Sequence, residues 1–270
     1  SSRAILQTVL TEQYAAIGAE MPAVDLRDEN TFTVTTGHQL NLYTGPLYVI
    51  YKLVSTINLA RALQKEYPNQ RFVPVYWMAT EDHDFKEINH FFAFGTKYTW
   101  NTPQKGAVGR FALSDFPKIP FRNEIFDKAY AEGKSLSEAV RIYMHALFGA
   151  EGLLCLDADD QRLKSIFAPI MEADLTQQVH EPIVRATTEK LEALGYKTQV
   201  AARPVNLFEL TENDRIRLET GDSVDITQAS PNVILRPLYQ EVILPNLAYI
   251  GGPAEVAYWL QLKDIFDLHQ

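Results

Sequence analysis

Several features that would place this chain in large, familiar classes are missing. It has one cysteine, Cys155, so no internal disulfide framework can form, and a reducing compartment is the expected setting. Cys155 sits in the apolar run "EGLLCLDADD", where a small buried hydrophobe is expected rather than a nucleophile. No apolar run approaches the roughly 20 residues that span a bilayer, and no apolar signal segment opens the chain. The reading is a cytoplasmic protein without a membrane partner. Positive charge is also short: 25 Lys and Arg against 34 Asp and Glu give a net charge of -9. That sign argues against a nucleic-acid partner, which needs a basic surface to neutralise phosphates. It leaves a small anionic ligand open, because one helix N-terminus and one arginine can hold a phosphate or carboxylate.

Low-complexity stretches and internal repeats are absent too. What remains is 270 residues of 46% apolar content, enough for one sizeable core. The chain starts without methionine and stops in a helical pattern, "KDIFDLHQ", so it reads as a fragment of a longer protein.

The periodicities alternate. Residues Ala4 to Gly18 read as an amphipathic helix, and "FTVTTG" as a short strand ending in a glycine turn. Leu47, Ile50, Val54, Ile57, Ala60 and Leu63 then keep helical spacing, with Lys52, Ser55, Asn58 and Lys65 turned elsewhere; Pro46 suits the first helical position. "FVPVYWMAT" is a nearly continuous apolar run, the pattern of a parallel strand covered on both faces. Strand, helix, strand makes a βαβ unit. "GLLCLDADD" reads as another buried strand, and Gln161 to Gly195 as two helices, bent near Pro169 and broken near Pro182. "KTQVAARPV" and "NVILRPL" are each candidates for a strand, and "LFELTENDRIRLET" reads as an antiparallel hairpin. The expected fold is α/β: a Rossmann-like parallel sheet with helices on both faces, forming one core domain over residues 1–270. An insertion is expected at about 96–150 and a small hairpin excursion at about 206–222.

Two polar clusters stand where the first two strands should end, the place where open α/β sheets bind ligands. In "TGHQLNLYTGP", Thr36, Gly37, His38, Gln39, Thr44 and Gly45 suit a nucleotide or other anion. The glycines permit close backbone approach, the helix at Leu47 offers free N–H groups, and His38 is a donor near neutral pH. Asn41 and Tyr43 are neutral donors for orienting a substrate, although a plain helix cap by Thr44 would also account for part of the pattern. In "TEDHDFKE", Asp82 and His83 are the candidate catalytic pair, with Glu81 and Asp84 as substrate contacts. Asp84 and Glu87 also have the spacing of a structural capping box. A metal-dependent hydrolase built on "EDHD" is an alternative reading. Further along, Arg236 offers a planar fork for a carboxylate or phosphate. Gly251, Gly252 and Glu255 repeat the glycine–proline–helix design of the first cluster.

Three blocks, "TGHQLNLYTGPLYVIYK", "PVYWMATEDHDFKEINH" and "VILRPLYQEVILPNLAYIGGPAEVAYWLQLK", resemble the bacillithiol-synthesis cysteine ligase family, BshC, in that family's order between roughly Thr33 and Lys263. The resemblance implies a Rossmann-like core of the class I nucleotidyltransferase kind. It also implies the joining of cysteine to the amine of glucosaminyl-malate. ATP is then the natural co-substrate, accompanied by Mg2+, with carboxyl activation through an adenylate or acyl phosphate. His38 and the Leu47 helix would face phosphates, with "TEDHD" on the substrate side. Two departures matter. Family members commonly read Gly-Gln-Gln where this chain has Gly37-His38-Gln39, which favours a binding role for His38. They are also nearly twice as long, with a C-terminal coiled coil that mediates homodimerisation. A non-catalytic nucleotide or sugar-acid binding module is the rival to the ligase.

Overall fold

Residues 2–269 are described by the computed structural model. In chain order the elements begin with α1 (Ser2–Ala16), β1 (Thr31–His38), α2 (Leu47–Glu66), β2 (Arg71–Met78), α3 (Phe85–Ile88), β3 (His90–Ala93) and β4 (Thr96–Thr99). They continue with α4 (Glu124–Glu132), α5 (Leu136–Phe148), β5 (Leu154–Asp157), α6 (Gln161–Gln177), α7 (His180–Ala193), β6 (Leu207–Leu210) and β7 (Arg215–Arg217). The last are β8 (Ala229–Pro231), α8 (Arg236–Ile243), β9 (Asn246–Tyr249), α9 (Pro253–Gln261) and α10 (Lys263–Leu268). Among the described residues no helix is long and apolar enough to cross a membrane.

Where one core domain is expected, the chain packs as two compact units. The first comprises residues 1–160, 212–214 and 245–250; the second takes residues 161–211, 215–244 and 251–270.

The first unit is built on a four-stranded sheet of order β5-β2-β1-β9. Every pairing in it is parallel. Both faces of β2 are buried, Phe72 and Tyr76 on one and Val73, Val75 and Trp77 on the other, as its unbroken apolar run predicts. Val49, Leu53 and Ile57 of α2 join Leu136, Val140 and Tyr143 of α5 over Tyr76 and Met78. The stretch expected as an excursion therefore supplies core: α4 and α5 pack into it, and the β3–β4 hairpin, a small sheet of its own, adds Phe91 and Tyr98.

The buried stripe of α2 differs from the expected one. Val49, Lys52, Leu53, Thr56, Ile57 and Ala60 face inward, while Leu47 and Val54 are exposed. Two polar residues lie on the inner stripe because their polar atoms find partners there. Thr56 Oγ1 donates to the Lys52 carbonyl, and Lys52 Nζ donates to the Gly37 carbonyl.

Strand β5 ends the sheet, and its open edge is covered by side chains, which removes a template for pairing with another chain. Tyr14 Oη accepts from the Cys155 N–H at 3.0 Å. Gln13 of α1 accepts from the Asp157 N–H and donates to the Asp157 carbonyl, while Arg141 donates to both Gln13 and the Cys155 carbonyl. Cys155 is fully buried, and desolvation pushes its thiol up to about 12.

In the second unit β7-β6-β8 form an antiparallel sheet, so the expected hairpin is present and gains a third strand. The helical pair is also present, but it breaks at Gln178, which adopts φ 52°, rather than at Pro182. Pro182 lies in the first turn of α7, where its missing N–H costs no helical bond. "KTQVAARPV" forms no strand, and "NVILRPL" turns directly into α8. There Asn232 Oδ1 accepts from the Ile234 and Leu235 N–H groups and starts the turn, with Pro237 in the first helical turn.

Replacing Tyr14 by Phe leaves the buried Cys155 N–H without its acceptor. The expected result is a loss of about 1–3 kcal/mol in urea unfolding with the m-value unchanged.

Candidate functional site

Strand β1 runs opposite β2 without a break from Thr31↔Arg71 to His38↔Met78, so the two chains leave the sheet at one level. The polar clusters that follow are bonded to each other. Ala79 N–H donates to the His38 carbonyl at 3.0 Å, and Tyr76 Oη donates to the Gln39 carbonyl at 3.1 Å. Gln39 Nε2 donates to both Asp82 Oδ2, at 3.0 Å, and Glu87 Oε2, at 2.7 Å.

Asp82 is held from three directions. Its Oδ1 accepts from the His83 and Asp84 backbone N–H groups at 2.7 and 3.3 Å, and Gln39 takes the other oxygen. His83 Nδ1 lies 3.6 Å from Asp82 Oδ1, with half of the imidazole side chain exposed. The capping box expected of Asp84 and Glu87 does not form. Asp84 is the N-cap of α3 without a side-chain bond, because the Glu87 carboxylate takes the Gln39 amide. Glu81 is buried beneath the turn. Over it passes the segment 107–110: Val108 N–H donates to the Asp82 carbonyl and Gly109 N–H to the Thr80 carbonyl. A Cβ on Gly109 would lie 2.5 Å from that of Thr80, so glycine is what allows the crossing.

In the first cluster, the loop before α2 bends sharply. Tyr43, Thr44 and Gly45 have φ of 52°, 69° and 65°, two of them non-glycine residues in the left-handed region. Packing holds them there. The Tyr43 ring lies 4.1 Å from Phe91 and 4.6 Å from Phe126, and its N–H donates to Tyr130 Oη. Tyr43, expected as a substrate contact, is thus committed to an aromatic cluster. Thr44 does not cap α2, whose N-cap is Pro46. Gly45 has no substitute: a Cβ there would lie 2.4 Å from Asn41 Cβ. Asn41 is buried, and its Oδ1 has no protein partner among the described residues, an acceptor that a ligand donor would satisfy. His38 and Tyr48 present an edge-on ring pair 6.1 Å apart. Thr36 Oγ1 donates to the Ile250 carbonyl, so Thr36 fastens β1 to the end of β9.

Two groups overlooked in the sequence also stand at this edge. Lys52 reaches it from α2. Asp157, at the end of β5, accepts from Thr80 Oγ1 and from the Asp159 N–H, and Arg110 pairs both side-chain oxygens of Asp159 at 2.7 and 3.0 Å. Burial, reinforced by the Asp159 carboxylate, pushes Asp157 above the ordinary carboxylate range. The signal was legible: "DADD" follows a strand just as "TEDHD" does.

Arg236, Gly251, Gly252 and Glu255 belong to the second unit. Arg236 opens α8. Gly252 is the N-cap of α9, where the Glu255 carboxylate accepts from the Gly252 N–H at 2.7 Å and ties off the helix start. Among the described residues no group of three or more His, Cys, Asp or Glu is placed to hold a metal ion.

An open parallel sheet whose polar loops meet beyond its carboxyl ends is a Rossmann-like α/β domain. The chain belongs to the BshC family: the description "Bacillithiol biosynthesis BshC, N-terminal Rossmann-like domain" matches residues 1–229 and 225–270. It is 44% identical to a protein of Flavobacterium psychrophilum named "Putative cysteine ligase BshC", over 99% of this chain and 57% of that protein. Proteins of the same name from Cytophaga hutchinsonii and Staphylococcus carnosus are 40% and 32% identical, over 100% and 93% of this chain and 58% and 55% of theirs. The chain therefore spans somewhat over half the length of these relatives.

Asp157→Asn tests the buried carboxyl. A group raised in the folded state destabilises the fold once both states would otherwise ionise; below its unfolded value both are protonated and the penalty vanishes. Asparagine keeps Oδ1 as acceptor and removes the charge. The variant is expected to have a higher urea midpoint at pH 7, the gain fading as pH falls below about 4. A gain that grows in acid would contradict the assignment.

Proposed function

We propose that this chain is the core of a ligase that joins cysteine to the amine of glucosaminyl-malate in bacillithiol biosynthesis, with ATP as co-substrate. The names of the relatives support the reaction class. The observation that carries the reading is the Gln39–Asp82 hydrogen bond, which makes the two clusters one rim rather than two separate loops.

The residues present fit a nucleotide and two small polar substrates. Gly37 brings backbone to the rim without a side chain, and the N-terminus of α2 turns the positive end of its dipole to the loop, which suits an anion. Bound ATP would supply the phosphoryl chemistry that turns the cysteine carboxylate into an electrophile. The rest falls to the protein. His38 donates to negative charge at the rim, and Asn41 Oδ1 accepts from a substrate donor. Asp82, fixed by Gln39 and two backbone N–H groups, takes the proton lost by the attacking amine, and half-exposed His83 passes it to solvent.

Incubating the full-length protein with ATP, cysteine and glucosaminyl-malate, with mass detection of the thiol product, tests this. Asp82→Ala is expected to lower turnover by roughly 10²-fold or more while leaving nucleotide binding by calorimetry within a few-fold. Unchanged turnover removes Asp82 from the proton path. Nucleotide binding without product in the complete wild-type chain identifies a non-catalytic binding module instead.

A further inference from the structure

The ladder between β2 and β5 starts late. β2 pairs with β1 from Thr31↔Arg71 onward but with β5 only from Val75↔Leu154, so on the β5 flank residues 71–74 have no strand beside them. Packing does not fill the gap. A cavity of about 350 Å³ occupies it, walled by residues 149–152, which lead into β5, and by residues 22–24 of the connection from α1 to β1. Its apolar lining is buried: Ile57 and Ala60 of α2 with Phe72 and Val73 of β2. The volume falls within the roughly 300–1,000 Å³ range of small-molecule sites. All of these residues belong to the first unit, and the cavity lies at the amino end of the eight-residue β2, about 23 Å along the strand from the rim.

Another strand is not what the gap suits. Arg71 N–H donates to the Asn30 carbonyl on the β1 side, so the alternating backbone turns Phe72 and Pro74 to the open flank. Gln64 Oε1 accepts from the Phe72 N–H, and Pro74 has no N–H, so neither residue keeps a donor for a new ladder. Charge points to a small acid instead. Two arginines line the cavity against one carboxylate, which leaves one positive charge over. Arg61 is paired with that carboxylate, Glu151. Arg71 has no ion pair and no side-chain hydrogen bond among the described residues. On an open surface such an arginine means little, because water solvates it. Here it lines a cavity with apolar walls in a chain of net charge -9, and its planar fork fits a carboxylate or phosphate with two parallel hydrogen bonds.

We propose that this cavity is an accessory site for a small organic acid, its carboxylate or phosphate held by Arg71 and its apolar body set against Ile57, Ala60 and Phe72. The head supplies orientation, and removal of the apolar body from water supplies most of the affinity. The site is independent of the ligase reading, whose residues stand at the opposite end of the sheet.

Titration calorimetry of the full-length protein with hexanoate and with hexyl phosphate provides the test. At least one of the two is expected to bind, and the tighter of them assigns the head group. The matching head alone, acetate or inorganic phosphate, is expected to bind at least roughly tenfold more weakly, because it leaves the apolar walls in water. Arg71→Gln removes the charge at an exposed position and is expected to weaken the acid roughly tenfold. Should that variant fail to fold, Ala150→Trp, an exposed position in the wall, is expected to weaken the acid by at least about as much by filling the space. Binding of neither acid overturns the proposal. So does a head group that binds as tightly as the six-carbon acid, or a folded Arg71→Gln or Ala150→Trp that binds the acid as wild type does.

Discussion

The unbroken parallel register between β1 and β2 is the constraint on which the site depends. Each of the eight residues from Thr31 to His38 stands opposite its counterpart from Arg71 to Met78. A slip of one residue would turn Phe72 and Tyr76 to the opposite face of β2, and the buried apolar residues on both faces oppose that slip. Because the register holds, His38 and Ala79 leave the sheet within one hydrogen bond of each other, and Gln39 can reach Asp82. The edge at β5, closed by Tyr14, Gln13 and Arg141, keeps Asp157 at the same level as Thr80.

The loop between β1 and α2 shows how the core supports this rim. Left-handed backbone at a non-glycine residue costs roughly 1–2 kcal/mol, and Tyr43 and Thr44 adopt it in succession. The ring of Tyr43 against Phe91 and Phe126, with the Tyr130 and Tyr143 hydroxyls on the loop backbone, offsets that strain. The aromatic side chains of the stretch 91–143 thus fix the geometry of a polar loop far away in sequence.

Much of the framework was readable from residue pattern alone. Continuous apolar runs marked β2 and β5, and the polar clusters after β1 and β2 fell where an open sheet places its ligand. "NVILRPL" failed because four apolar residues fit a strand or a turn equally well, and Asn232 with Pro237 decided for the helix. The aromatic packing of Tyr43 was hidden because its partners lie 48 to 87 positions on, beyond any local signal. Lys52 was missed for a related reason. Periodicity assigns a lysine to the wet side of a helix, whereas here its Nζ turns inward and donates to the Gly37 carbonyl. The split into two units was hidden because β9 returns to the first sheet late in the chain.

The lone thiol of the chain takes on meaning beside the substrate proposed for it. A protein that handles free cysteine is exposed to a reagent that exchanges readily with any accessible sulfur, since attack proceeds through the thiolate and requires access. Cys155 denies both: it is sealed beneath α1 and α5, and its S–H stays protonated to about 12. Mixed disulfides have no foothold in the folded core, and the single thiol the sequence retains is one that the proposed substrate cannot capture.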